Sequence, residues 1–193
     1  IQGSPTPSET RCLYLRNGAS VAGFTLTGGT TLYPSGPTWT NVDSLGAGVW
    51  AETQDCLLSR CVLSSNFSGL CGGGVAGGTL EACRLEGNQA GNDAGGASGS
   101  ILRNCLVHGN TSGYGGGAEA SVLVGCTVTG NEASDSDGCY STGGATRCVL
   151  TNCIVMFNSC GNIDQSTAYH SCITPLPGEG YGNVALDPLF VDP

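Results

Sequence analysis

The chain has 193 residues, of which only 11% are charged, with a formal net charge of −9, 33 Gly, 12 Cys, six Arg and no Lys. An acidic chain without lysine cannot assemble a phosphate-tracking groove or a basic membrane-binding patch, so nucleic acid and anionic lipid are excluded as partners. No apolar run approaches the roughly 18 residues of a membrane span, glycine lacks the three-residue period of collagen, and the apolar residues recur too regularly for a disordered chain.

The chain opens at Ile1 without Met or leader, so it reads as a mature product or as a segment of a longer chain. A strand-like stretch, Arg11-Cys12-Leu13-Tyr14-Leu15, comes first. A nine-residue pattern then recurs, L-x-x-C-x-[LV]-x-x-N, at residues 21–29, 58–66, 80–88, 102–110, 123–131 and 150–158, with a weaker copy around Cys172. The first copy carries Val21, Phe24 and Gly29 in place of Leu, Cys and Asn. Cys61, Cys83, Cys105, Cys126 and Cys153 are spaced by 22, 22, 21 and 27 residues. A second mark, Gly-Gly-[VA], ends at Val75, Ala97, Ala118 and Ala145, each eight residues before its cysteine. Extra residues therefore fall between the Asn and the Gly-Gly, in one loop.

Each unit alternates apolar and variable residues with period two and is punctuated by Gly and Asn, with no helical stripe or cap. A repeat of about 22 residues made of short strands and turns is one rung of a parallel β-helix. The expectation is an all-β solenoid of about seven rungs over residues 11–175, within a single domain 1–193, with a loop insertion at 30–48 and a C-terminal extension or lid at 176–193. Its interior should hold ladders of Leu58, Leu80, Leu102, Leu123 and Leu150, of the five motif cysteines, and of Leu63, Leu85, Val107, Val128 and Val155. Leu186, Leu189, Phe190 and Val191 are the residues the lid would bury.

In-register cysteines point the same way about one strand spacing apart, too far for a disulfide, so Cys61, Cys83, Cys105, Cys126 and Cys153 read as free thiols acting as small hydrophobes. Cys56 and Cys148 share a column but are separated by rungs carrying Gly78, Ser100 and Ser121. Cys139 and Cys160, in loops of neighbouring rungs, form the one plausible disulfide. No C-x₂-C pair exists and the histidines are dispersed, so zinc is not expected. Asn66, Asn88, Asn110, Asn131 and Asn158 should form an internal ladder at a turn, which turns the two formal glycosylation sequons at Asn66 and Asn110 into structural positions.

These residues resemble bacterial right-handed parallel β-helix repeat proteins of the secreted or cell-surface kind. The Gly-Gly-[VA] and x-x-x-Asn marks are similar to the GGA and FxxN marks of polymorphic outer-membrane autotransporter passengers, which Met156-Phe157-Asn158 echoes in part. The closing Asn183-Val-Ala-Leu-Asp-Pro-Leu-Phe-Val-Asp192 is similar to the end of such repeat regions. The resemblance implies a right-handed solenoid, export, and an extracellular or cell-surface location. It does not choose a function, since enzymes and passive stalks share the fold.

The paired-acid and Arg-x-Lys patterns of pectin hydrolases are missing. Arg84 and Glu86 with His108 on the next rung could serve proton abstraction, but a solvated face with an ordinary ion pair is the simpler account. Asp135 and Asp137 could hold Ca²⁺ in a Gly-containing loop, though two acids make a thin ligand set and no cofactor is expected. A flat Thr-x-Thr array, as ice binding needs, fails where Thr25/Thr27 gives way to Val62/Ser64, Arg84/Glu86, Leu106/His108 and Ile154/Met156. The loops between Asn and Gly-Gly carry Tyr33, Trp39, Tyr114, Asp135, Asp137 and Tyr140, and aromatics beside acids suit stacking on sugars or a protein surface. Possible partners are therefore glycans or host surface proteins, and, at the solenoid ends, flanking chain or another copy stacked head to tail. The expected function is a non-enzymatic structural or adhesive solenoid; the alternative is a β-helix that binds or cleaves carbohydrate through those loops.

Overall fold

The structure, a computed structural model, describes residues 1–2, 10–33, 42–134 and 141–190. The second to fifth coils of the chain each have four faces. In the third coil these are Val75–Ala76, Thr79–Glu81, Arg84–Glu86 and Gln89–Ala90. Each strand pairs in parallel with its counterparts one coil below and one above. Stacking yields four sheets of seven, eight, seven and four strands in the order of the faces. The first-face sheet runs from Leu13–Leu15 to Ile163–Asp164, which marks seven coils. Gly180–Tyr181 and a bridge from Val184 to Cys172 begin an eighth.

The repeat builds this cross-section because each face uses five residues. Leu58, Leu63 and Ser68 point inward at the centres of three successive faces and are fully buried, while Cys56, Cys61 and Asn66 fill the corners before them. The residue preceding a corner bends the chain through a positive φ: Ala82 at 51° before Cys83, Gly87 at 61° before Asn88. One left-handed residue per corner turns the chain without a longer loop. The ladders of Leu58, Leu80, Leu102, Leu123 and Leu150, and of Leu63, Leu85, Val107, Val128 and Val155, pair in register and are wholly buried. The first face contributes the smaller Val49, Val75, Ala97, Ala118 and Ala145, so the coil interior fills evenly. The Gly-Gly mark has a steric cause. A β-carbon on Gly96 would stand 2.3 Å from the Gly117 carbonyl oxygen, and one on Gly95 would stand 2.5 Å from that of Thr111.

Several expectations are corrected. The motif cysteines sit at corners and not on strands, because the left-handed residue before each one ends the preceding strand. The stretch expected as a loop after Asn66, Asn88, Asn110 and Asn131 contains a fourth face, Phe67–Ser68, Gln89–Ala90, Thr111–Ser112 and Glu132–Ala133. Met156, expected outward, is buried. The C-terminal segment leaves its apolar side chains on the surface: Leu186 is 67%, Leu189 78% and Phe190 47% exposed, the last edge-on to Phe157. The segment before them, 180–184, spends its hydrogen bonds extending the solenoid, which leaves the rest on the surface. Val191 lies outside the described residues.

Candidate functional site

The interior ladders are hydrogen-bonded throughout. The Nδ2 of Asn88 donates to Oδ1 of Asn110 and that of Asn110 to Oδ1 of Asn131, each at 2.9 Å, and Asn131 continues to Asn158 at 2.9 Å. The second amide hydrogen reaches a carbonyl of the coil below, as from Asn110 to Leu85. The cysteine corners do the same work with sulfur. The N–H of Cys83 points to Sγ of Cys105 at 3.4 Å, and the Cys105 thiol lies 3.6 Å from the Leu80 carbonyl. In the neighbouring column Ser121 replaces the thiol, accepting from the Ser100 N–H at 3.0 Å. The motif cysteines are therefore corner ligands for backbone groups as well as hydrophobes. Side-chain hydrogen bonding to Cys126 pushes the thiols of Cys105 and Cys153 up, aided at Cys105 by hydrogen bonding with Cys83 and at both by burial. Cys61, Cys83, Cys105, Cys126 and Cys153 are all free. Cys160 is disulfide-bonded, and its expected partner Cys139 lies outside the described residues.

Chemistry-bearing side chains gather outside the first-face sheet. Its outward column runs Tyr14, Trp50, Ala76, Ser98, Glu119, Thr146 and Asp164. Beside it the chain enters each coil through a second column, where Leu45, Cys71, Asp93 and Tyr114 bridge in parallel. Between the two, Glu119 is only 8% exposed. Its Oε1 lies 2.7 Å from the Arg147 guanidinium and its Oε2 accepts from Ser98 Oγ at 3.1 Å. Asp93 approaches the same guanidinium at 3.8 Å with Oδ1 and accepts from Asn92 with Oδ2 at 2.8 Å. Cys71, next in the column, is pushed up to about 12 by burial and then by the Asp93 charge. The Thr146 hydroxyl beside Glu119 is buried without a hydrogen-bond partner.

At the lower end of the same face, Tyr14 and Trp50 stack at 4.7 Å and 7°. Arg11 lies 5.4 Å from the Trp50 ring, and Tyr14 hydrogen-bonds Glu52, which raises its phenol pKa. Sequence reasoning passed over this pair, and over Glu119 with Arg147. Val49 stands 12 residues before Cys61 and not eight, which hid the alignment of Leu13-Tyr14-Leu15 with Val49-Trp50-Ala51. Their shared in-out-in pattern was the available signal.

Of the residues proposed for ligand contact, Tyr33 and Tyr114 are 61% and 48% exposed. Both lie on the loop side, Tyr33 against Gly91 and Tyr114 next to Asp93 in its column. Trp39, Asp135, Asp137 and Tyr140, and with them the possible Ca²⁺ loop, lie outside the described residues. Arg84 and Glu86 form an exposed pair at 2.8 Å, and His108, in register beside Glu86 on the next coil, has its Nδ1 against the Thr129 carbonyl at 3.0 Å. Among the described residues no group of three or more His, Cys, Asp or Glu could hold a metal ion, and no helix is long and apolar enough to cross a membrane.

No curated protein and no solved structure matches the chain. A family model does: that of the right-handed β-helix region, over residues 38–173. The match takes in the second coil to the seventh, more than half the chain, and agrees with the parallel sheets, so the chain belongs to the right-handed β-helix family.

Proposed function

We propose that this chain is a non-enzymatic β-solenoid, a structural or adhesive element of a bacterial surface or filament, working outside the cell. The observation that carries the reading is the state of its best acid pair. Glu119 and Asp93 share Arg147, and all four carboxylate oxygens already have protein partners. Glycoside cleavage needs one carboxyl free to give a proton and another free to meet sugar or water. Acids committed to Arg147, Ser98 and Asn92 instead pin the entry loops to the sheet. The test is incubation of the protein with a panel of plant, algal and bacterial polysaccharides, followed by reducing-end and unsaturated-product assays. No product is expected. Product formation abolished by Glu119→Gln in a folded protein would overturn the reading.

A second reading, carbohydrate binding without cleavage, draws on the Tyr14–Trp50 stack flanked by Arg11 and Glu52, and on the exposed Tyr33 and Tyr114. Aromatic faces beside charged groups are the usual surface for sugar rings. A glycan array probed with the protein and with Trp50→Ala separates the two: retained signals lost in the variant favour binding.

A further inference from the structure

The upper end of the solenoid is uneven. On the third face, Val184 covers Cys172–Ile173, with the Ile173 N–H on the Val184 carbonyl at 2.9 Å. On the second face, Gly180–Tyr181 covers Thr167–Tyr169. On the first face nothing described pairs with the far edge of Ile163–Asp164, the last strand of its sheet. The chain crosses above it as Pro175-Leu176-Pro177-Gly178, and between strand and crossing lies an open cleft of about 460 Å³. A second hollow of about 450 Å³, sharing Gln165, Ser166 and Gly178, carries it on to Glu179.

The repeat itself says which backbone groups face this cleft. One coil below, Ala145 and Arg147 send their N–H groups upward to the carbonyls of Asn162 and Asp164, each at 3.0 Å. Ile163 is in register with Ala145, so the N–H and C=O of Ile163 and the N–H of Gln165 point up in the same way, and they meet no partner among the described residues. Pro175 and Pro177 carry no N–H, so the crossing offers little to compete with a guest strand for these groups. An unpaired sheet edge of this kind takes an extended segment by main-chain hydrogen bonds, with side chains alternating between the two surfaces.

We propose that this cleft binds an extended peptide as the missing first-face strand of the eighth coil, and that the peptide carries an apolar residue over Ile163 followed by a basic residue beside Asp164. The register sets the order. Ile163 stands in the inward column above Ala145, so the residue placed over it caps the coil interior, whereas Asp164 stands in the outward column. Charge sets the basic residue: Asp164 lines the cleft and Glu179 its extension, and neither lining contains Arg or His. A short strand fits a hollow of this size. The proposal is independent of sugar binding at Trp50 and holds whether the solenoid is a stalk or an adhesin.

The test is titration of the full chain with the peptide Val-Lys-Val-Lys-Val, with its Glu-for-Lys counterpart, and with a version N-methylated on its backbone, read by NMR shifts and amide exchange. Saturable binding that slows exchange at Ile163 and Gln165 is expected, at least tenfold weaker for the Glu peptide and lost on N-methylation. Asp164→Arg, an exposed change that leaves the coil intact, should reverse the charge preference. Binding that ignores N-methylation or leaves the Ile163 and Gln165 amides untouched would overturn it. So would concentration-dependent protection of those amides without peptide, which would assign the edge to a second copy of the chain.

Discussion

Asn88 gives both its backbone N–H, at 3.0 Å, and its side-chain Nδ2, at 2.9 Å, to the single oxygen Oδ1 of Asn110 one coil above. Asn110 in turn donates to Leu85 and Asn131. Each asparagine thus closes a corner for the coil below it and is closed by the one above.

Asn110→Ala strands those groups in a dry interior, where an unsatisfied polar group costs about 1–3 kcal/mol. A loss of about 3–5 kcal/mol is expected from urea unfolding, against little change for the exposed His108→Ala. A loss of under about 1 kcal/mol would mean that water enters the corner.

The cysteine corners should prefer serine to alanine. Cys105→Ser keeps an acceptor for the Cys83 N–H, as Ser121 already does for Ser100, and should cost less than about 1 kcal/mol. Cys105→Ala removes that acceptor and should cost roughly twice as much or more. Melting curves of the two variants decide it, and alanine matching serine would return the column to a purely apolar role.

Alkaline pH should loosen the fold through the buried thiol of Cys148. Burial holds Cys148 at about 12 against an ordinary value of 9.0. The folded state therefore keeps a proton that the unfolded chain releases. This contribution is intact below the unfolded value and is lost as pH rises toward the folded one, by about 1.4 kcal/mol per pH unit for a fully buried group. Melting temperature followed by circular dichroism between about pH 8 and pH 11 should fall, and fall less steeply in Cys148→Ser.

Arg147→Ala leaves Glu119 buried with Ser98 as its remaining side-chain partner. Removing one member of a buried pair costs about 3–5 kcal/mol, and the exposure of Arg147 lowers the expectation to about 2 kcal/mol. Arg147→Ala combined with Glu119→Gln should recover part of that loss in a double-mutant cycle. No recovery would show that the two residues act separately.

The periodic marks already carried the coil. The cysteine spacing, the constant eight residues from Gly-Gly-[VA] to cysteine, and the leucine two places after each cysteine specify stacked strands and both ladders, because identical residues can be buried at every rung only in a parallel solenoid. The steric need for Gly95 and Gly96 was legible as a mark but not as a cause, since it depends on how closely the next coil's carbonyls approach. The fourth face was hidden inside an apparent loop: two-residue strands such as Gln89–Ala90 carry no periodicity of their own and exist through their neighbours' hydrogen bonds.

Other features belong to the tertiary structure alone. Whether a polar residue on the outer surface is free or committed depends on which coil supplies its partner, and Arg147, one coil above Glu119, reaches both Glu119 and, from the coil below that, Asp93. The stack of Tyr14 on Trp50 spans an insertion whose length the motif cannot predict. The open edge at Ile163 depends on where the chain stops pairing above it. The repeating cross-section follows from the order of residues, because burial is periodic; the arrangement of the surface and ends follows from contacts between coils, which obey no repeat.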